Sequence, residues 1–481
     1  MARSVARKVK VSPLKFGTSG WRAIIGEEFT FANVRLAVAG IGEHVRKRKK
    51  KATVIVGYDT RFFSPEFART AVQTLASQGI HVLLCDAPAP TPAIAWEILQ
   101  RRCDGAVNFT ASHNPAAYNG IKFSGPHGGP ALPEETGDIE ARIARLATKP
   151  AKALVGLIDT GEREPETVST RAAYLKRLGE IVDFAAIRKA QLKIVCDVLH
   201  GCGAGYLDGA LTENGISCST LRAGRDVLFD GTGPDVSEEN LAPLREAVRR
   251  DKANVGLATD GDADRFGILD ADGTWVSPNH IQGLVYNYLV ETRGWKMPAA
   301  RSVATSQLVD AVARYHGTKV IQTPVGFKYI GELIRKDKIA LGGEESAGLS
   351  IRGHVPEKDG ILACLLVTEM IARRGLSLGK QLSALFKRVG AEYWPLRTNL
   401  YLSEEVKERL VKRLKKNFRE FAGRRVKRAD RTDGLKLEFA DGSWNLLRLS
   451  GTEPLVRLYT EANTPSAAKK LAEEAQAWIE S

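Results

Sequence analysis

Short apolar runs that stop at polar or acidic turns recur along the chain. Residues 53–61 read TVIVGYDTR, residues 193–203 KIVCDVLHGCG and residues 254–265 NVGLATDGDADR. Each predicts a buried strand, then a polar turn, then a helical segment. After the first run, Ser64-Pro65-Glu66 is a helix-start signature, with serine as the cap, proline at the first helical position and an acid at the positive end. That helix runs to about Ser77, Gly79 stops it, and a strand follows over Ile80 to Cys85. Strands alternating with helices imply parallel βαβ units. Asp104 to Phe109 is a further apolar run, so the turn at 110–115 falls just past the carboxyl end of a strand, where open α/β sheets place ligands.

From Tyr393 the pattern changes. Strand-like alternation over Leu396 to Leu402, a charged helix over Glu404 to Phe421, two short strands and an amphipathic helix after Thr464 describe a small α+β domain with an antiparallel sheet. A charged, proline-containing stretch near 147–168 separates the first α/β unit from the second. The 481 residues exceed what one core organises. The pattern divides them into α/β units at 1–155, 156–272 and 273–388, followed by the α+β domain at 389–481.

Composition narrows the partners. With 43% hydrophobic and 26% charged residues, no stretch nears the roughly 18 consecutive apolar residues of a membrane span, and no membrane partner is expected. The opening MARSVARKVKVS lacks the apolar core and cleavage site of a secretory signal, so the expected location is the cytoplasm. Cys85, Cys103, Cys196, Cys202, Cys218 and Cys364 form no Cys-x-x-Cys pair and fit buried free thiols rather than a zinc site or disulfide framework. A net charge of +14 admits nucleic acid or an anionic small substrate. Part of it is the run Arg46 to Lys51 at the expected end of a helix, without aromatic interleaving, so no nucleic-acid partner is expected.

Several loops carry candidate chemistry. Thr110-Ala-Ser-His-Asn-Pro115 raises Ser112 beside His113; such a hydroxyl can accept and donate a phosphoryl group, or simply bond its own backbone in a polar turn. Asp260, Asp262 and Asp264 alternate after a strand and can converge on Mg²⁺ or a similar cation, with Arg265 holding a phosphate oxygen or a neighbouring carboxylate. An EF-hand is excluded, because Arg265 stands where its glycine is needed and Ala271 where its bidentate glutamate is needed. The loop Gly342-Gly-Glu-Glu-Ser-Ala-Gly348 offers acceptors for adjacent sugar hydroxyls. Arg448-Leu-Ser-Gly-Thr-Glu-Pro454, with Arg457 on the next strand, makes a phosphate cradle that is not a Walker loop. His354, Lys358 and Asp359 cluster at a helix start, and Gly17-Thr-Ser-Gly-Trp-Arg22 presents an arginine in a turn. Lys122 returns to Ser112 if Asn119-Gly120 turns a hairpin, and with a lowered pKa it would serve as a proton acceptor.

In this order and over essentially the whole chain, these loops resemble the α-D-phosphohexomutase superfamily. The resemblance implies three α/β domains with mixed sheets and a smaller C-terminal α+β domain around a central cleft. It implies that Ser112 is the phosphorylated serine, that Asp260, Asp262 and Asp264 with the Ser112 group hold Mg²⁺, and that Glu344 and Ser346 contact the sugar. Arg448, Ser450, Gly451, Thr452 and Arg457 match its phosphate-binding loop, and Thr323, Gly326 and Lys358 join the substrate contacts. Arg22, His113, Lys122, Arg265 and His354 match positions of proton transfer or charge stabilisation. The sequence Gly-Glu-Glu-Ser-Ala-Gly, the following Glu357-Lys-Asp-Gly360 and the preceding Thr323-Pro-Val-Gly-Phe-Lys328 are similar to the phosphoglucomutase branch. Dual phosphomannomutase/phosphoglucomutases tend to carry Gly-Glu-Met-Ser-Gly-His, and phosphoglucosamine mutases Gly-Glu-Gln-Ser-Gly-His; that histidine is missing here. Ala23 departs from the glycine that commonly follows the first-loop arginine. The implied reaction interconverts α-D-glucose 1-phosphate and glucose 6-phosphate, with glucose 1,6-bisphosphate as intermediate and activator, in a monomer or homodimer. Mannose or glucosamine phosphate is the alternative substrate, and a Mg²⁺-dependent sugar phosphatase the alternative reaction.

Overall fold

The computed structural model describes residues 14–17, 20–148, 164–449 and 455–481. The expected boundary at 155–156, Thr18 and Ser19 of the amino-terminal turn, and residues 450–454 of the phosphate cradle, Ser450, Gly451 and Thr452 among them, lie outside the described residues. Among the described residues no helix is long and apolar enough to cross a membrane.

Four sheets organise the described residues. The first contains β1 (Trp21–Ile24), β2 (Thr53–Tyr58), β3 (His81–Cys85), β4 (Gly105–Phe109), β5 (Tyr118–Ser124) and β6 (Glu166–Val168), in the order β1-β5-β4-β2-β3-β6. Strands β2, β3, β4 and β6 run parallel, while β5 returns antiparallel to both β4 and β1. The first sheet thus reaches past residue 155, because β6, expected in the second unit, pairs with β3 at its edge. Asn119-Gly120 makes no hairpin turn; both residues lie within β5. A Cβ at Gly120 would meet the Thr110 carbonyl at 2.5 Å and the Trp21 carbonyl at 2.8 Å, so this glycine permits close strand approach instead.

The second sheet joins β7 (Ile194–Asp197), β8 (Cys218–Leu221), β9 (Val255–Thr259) and β10 (Phe266–Asp270) in the order β10-β9-β7-β8. The acidic turn after β9 leads into the antiparallel strand β10, not into the helix that the repeated pattern predicts. The third sheet joins β11 (Ala299–Ser302), β12 (Val320–Thr323), β13 (Leu341–Glu344) and β14 (Gly348–Ile351) in the order β12-β11-β13-β14. The last is wholly antiparallel: β15 (Trp394–Tyr401), β16 (Glu420–Phe421), β17 (Arg424–Asp430), β18 (Leu435–Phe439), β19 (Trp444–Leu449) and β20 (Leu455–Ala462), in the order β15-β20-β19-β18-β17-β16. The charged helix expected over 404–421 ends at Leu414, and Phe421 already belongs to a strand.

The helix Gly360–Arg374 ties the second and third units together. Its residues from Gly360 to Ile371 are all buried, as expected of a helix apolar on every side. It packs on β9, β10 and β14 and on the helix Phe184–Ala190, within one apolar core shared by both units. Burying each large aliphatic side chain there contributes about 1.5–3 kcal/mol. Asp359 caps the helix by accepting from Leu362 N at 2.8 Å. At the same end Gly360 N donates to the Ala263 carbonyl at 3.1 Å, which sets the positive helix terminus against the acidic turn.

Candidate active site

Ser112 stands one turn beyond β4 in the left-handed region, with φ of 52°, and is fully buried. Its amide donates to Thr110 Oγ1 at 2.9 Å. Its hydroxyl donates to Asp260 Oδ2 at 2.6 Å and lies 3.3 Å from His113 Nδ1. This joins the serine turn of the first unit to the acidic turn of the second. The two loops pass close enough that a Cβ at Gly261 would lie 2.6 Å from the Ser112 carbonyl.

Asp260, Asp262 and Asp264 are fully buried, and one oxygen from each lies within 4.8 Å of the others. Asp262 Oδ1 and Asp264 Oδ1 are buried and accept no hydrogen bond. Converging hard oxygens with unused lone pairs fit a divalent cation such as Mg²⁺. The remaining oxygens are already engaged. Lys122 Nζ donates to Asp262 Oδ2 at 2.5 Å and Asp264 Oδ2 at 2.7 Å, and Lys358 Nζ to Asp264 Oδ2 at 2.6 Å. Burial works against the Asp264 carboxylate, yet Lys122, Lys358 and Arg265 hold it well below its ordinary range. Burial and repulsion from Asp264 and Asp262 push Asp260 up.

Lys122 corrects an expectation. Burial pulls its ammonium down, but Asp262 and Asp264 outweigh burial, so its pKa is raised rather than lowered. Burial, reinforced by Arg265 and Arg22, holds the His113 imidazole well below its ordinary value. Arg22 Nη1 donates to Asn114 Oδ1 at 2.6 Å, while Arg265 N donates to Asp260 Oδ1 at 3.0 Å. His354 stands apart in a fully enclosed place against Trp96 and Tyr174, bonded through Nε2 to Asp359 Oδ2 at 2.7 Å. Both oxygens of that carboxylate also accept from Tyr174 OH, so the ring braces the helix cap.

Glu344, at the end of β13, is buried and accepts from Gly326 N at 2.7 Å. Burial and the adjacent Glu345 push its carboxyl up to about 7. The half-buried Ser346 lies two residues on, Thr323 ends β12, and Gly326 sits in the loop after it. Arg448 and Arg457 are direct partners on β19 and β20. Like charges placed opposite each other are unfavourable unless an anion lies between them, which suits a phosphate. Asp433 orients the first by accepting from Arg448 Nε at 2.9 Å with Oδ1, and its Oδ2 accepts from Val325 N at 3.1 Å in the loop of Thr323 and Gly326.

The sequence reading missed Thr91, which donates to Asp262 Oδ2 at 2.5 Å and accepts from Asn108 Nδ2 at 3.0 Å. Pro90-Thr91-Pro92 signals a helix start, but a helix start alone does not point to an aspartate 171 positions away.

The chain matches profiles described as phosphoglucomutase/phosphomannomutase alpha/beta/alpha domain I over residues 13–149, domain II over 172–273, domain III over 277–389 and C-terminal domain over 405–477. A phosphoglucomutase/phosphomannomutase of Thermococcus kodakarensis is 31% identical over 460 residues, 95% of this chain and 96% of that one. A probable phosphoglucosamine mutase of Methanopyrus kandleri is 30% identical over 460 residues, with the same coverage of 95% and 96%. The solved structure of a putative phosphomannomutase from Thermus thermophilus superposes with a TM-score of 0.85 at 32% identity, covering 98% of this chain and 100% of that one.

Proposed function

Because the chain belongs to the phosphoglucomutase/phosphomannomutase family of α-D-phosphohexomutases, whose members are isomerases, we propose that it interconverts α-D-glucose 1-phosphate and glucose 6-phosphate through a phosphorylated Ser112. The observation that carries this reading is the 2.6 Å contact of Ser112 Oγ with Asp260, which sets a nucleophile against three buried carboxylates. Asp260, Asp262 and Asp264, with the phosphorylated Ser112, would hold Mg²⁺, which when bound offsets the charge developing on the phosphoryl oxygens.

The protein's own groups do the rest. The phosphoryl group leaves Ser112 Oγ for the free hydroxyl of a hexose phosphate, forming glucose 1,6-bisphosphate. His113, 3.3 Å from Ser112 Oγ, takes the hydroxyl proton and passes it to the Ser112 oxygen as the phosphoryl group departs. Lys122, kept charged by two carboxylates, stabilises the transferring group electrostatically. Arg22 and Arg265 add positive charge at the same point. After the bisphosphate turns over, its other phosphate returns to Ser112. Arg448 and Arg457, with the Ser450-Gly451-Thr452 loop, grip whichever phosphate is not reacting, and Glu344 and Ser346 accept hydroxyls of the sugar in either orientation. Lys358 lies on Asp264 and contributes to the substrate contacts from that side.

Glucose is favoured by Gly-Glu-Glu-Ser-Ala-Gly at 343–348, in which Gly348 stands at the motif's histidine position. Mannose or glucosamine phosphate is the second reading, favoured by the names of the relatives. A coupled assay across glucose, mannose and glucosamine phosphates, primed with glucose 1,6-bisphosphate and Mg²⁺, tests both. Fastest turnover with glucose phosphate, and none in Ser112→Ala, is expected. A preference for mannose phosphate overturns the sugar assignment, and full activity in Ser112→Ala overturns the mechanism.

A further inference from the structure

Arg61 ends the run TVIVGYDTR, and its side chain is completely enclosed. Strand β2 lies beside β4 in parallel, so this residue emerges next to the serine turn. All four Nη hydrogens are used on that turn. Nη2 donates to the carbonyls of Ser112 at 2.7 Å and Asn114 at 2.6 Å, and Nη1 to those of Pro115 at 2.8 Å and Tyr118 at 3.1 Å. Nε lies 3.2 Å from Asp59 Oδ2 in an ion pair. Asp59 is itself fixed, since its Oδ1 accepts from Arg61 N at 3.0 Å and from Ser64 Oγ at 2.7 Å. Ser64 is therefore not the helix cap its sequence suggests; Phe63 takes that place and the hydroxyl serves Asp59.

The second unit holds the arginine from outside. The Phe229 ring lies 5.1 Å from the guanidinium, and Arg225 donates to the carbonyls of Thr60 at 2.9 Å and Arg61 at 3.2 Å.

We propose that Arg61 is a positioning residue for phosphoryl transfer: its planar guanidinium fixes the carbonyls of the turn, and so holds Ser112 in its left-handed conformation with the hydroxyl on Asp260. The inference rests on the mutase reading above. Arg61 touches neither the reacting oxygen nor the sugar, so its loss acts on chemistry and not on substrate binding. Lysine cannot replace it, because three tetrahedral donors do not match four carbonyls around a plane.

The test compares Arg61→Lys and Asp59→Asn with the unaltered protein. Steady-state turnover of glucose 1-phosphate and the rate of Ser112 phosphorylation by radiolabelled glucose 1,6-bisphosphate are measured. Misplacing a nucleophile by about 1 Å costs on the order of 100-fold in rate. Arg61→Lys should therefore lose about 100-fold in kcat, and equally in phosphorylation rate, with KM within about threefold. Asp59→Asn keeps the shape but removes the counter-charge, and should shift the same quantities in the same direction by about tenfold. Unchanged kcat in Arg61→Lys, or a raised KM at constant kcat, overturns the proposal. Failure of both variants to fold also overturns it, by making the arginine a general structural support. An unaltered protein that turns over no hexose phosphate refutes the mutase reading instead, so the two failures are distinguishable.

Discussion

Replacing Lys436 by methionine should stabilise the protein near neutral pH and flatten its pH dependence. Lys436 projects from β18 and is completely buried at the contact between the last unit and the third. Around it lie Val303, Ala304, Leu446 and Tyr459, with the Trp444 ring 3.6 Å from Nζ. Its hydrogen bond there goes to the Val303 carbonyl at 3.0 Å. Burial, with Arg301 nearby, pushes the amine down to about 7 from an ordinary 10.5, against the opposing pull of Glu461 and Glu438.

The sign follows from proton counting. Between pH 7 and 10.5 the unfolded chain holds the proton and the folded chain does not, so stability rises with pH across this window. At about 1.4 kcal/mol per pH unit the whole rise amounts to about 5 kcal/mol, and at pH 7.5 about 4 kcal/mol of it is still missing. Methionine removes this deficit but leaves the Val303 carbonyl without its donor, costing about 1–3 kcal/mol. The variant should therefore be about 1–3 kcal/mol more stable at pH 7.5 and should lose that advantage by pH 10. Urea unfolding of both proteins at intervals from pH 6.5 to 10, followed by tryptophan emission, measures the difference, and common titrations cancel. Parallel stability curves for the two proteins would refute the reasoning.

Asp262→Ala removes one of the converging carboxylates and the acceptor of Lys122 and Thr91. Its kcat should fall by about 1,000-fold or more, with no response when Mg²⁺ is titrated into chelator-treated enzyme. Arg448→Ala removes a charge-assisted phosphate contact, so KM for glucose 1-phosphate should rise about 10- to 100-fold with a smaller change in kcat. An unchanged KM in the same steady-state assay would remove Arg448 from the phosphate cradle. Gly261→Ala drives a methyl group to 2.6 Å from the Ser112 carbonyl. Its turnover should drop about 10- to 100-fold while its circular dichroism matches that of the parent.

The legible parts of the molecule were those whose chemistry is local. A serine after an apolar run and three alternating aspartates identify themselves within a few residues, and the structure brings them together. The proton state of Lys122 was not legible, because it is set by Asp262 and Asp264, 140 and 142 positions away. The C-terminal strands were hidden for another reason. Strand β17, RRVKRAD, shows no clean alternation because its residues are exposed or half-buried at an outer part of the sheet, and the shorter β16 falls within the charged helix expected to reach Phe421. The parallel order of the first sheet followed from alternating strands and helices. The return of β6 to its edge follows from pairing that leaves almost no mark in three residues.

The core shared by the second and third units bears on how such a protein can be re-engineered. A graft that exchanges the third unit for that of a relative would cut through the surroundings of the helix Gly360–Arg374, which packs against β9 and β10. The recipient would expose apolar surface even where both cuts fall in loops. A transplant extending from the helix Phe184–Ala190 to the end of Gly360–Arg374 keeps the donor contacts on both sides. If Glu344 contacts the sugar as proposed, changes of sugar preference are easier to install as single side chains around it than as whole modules.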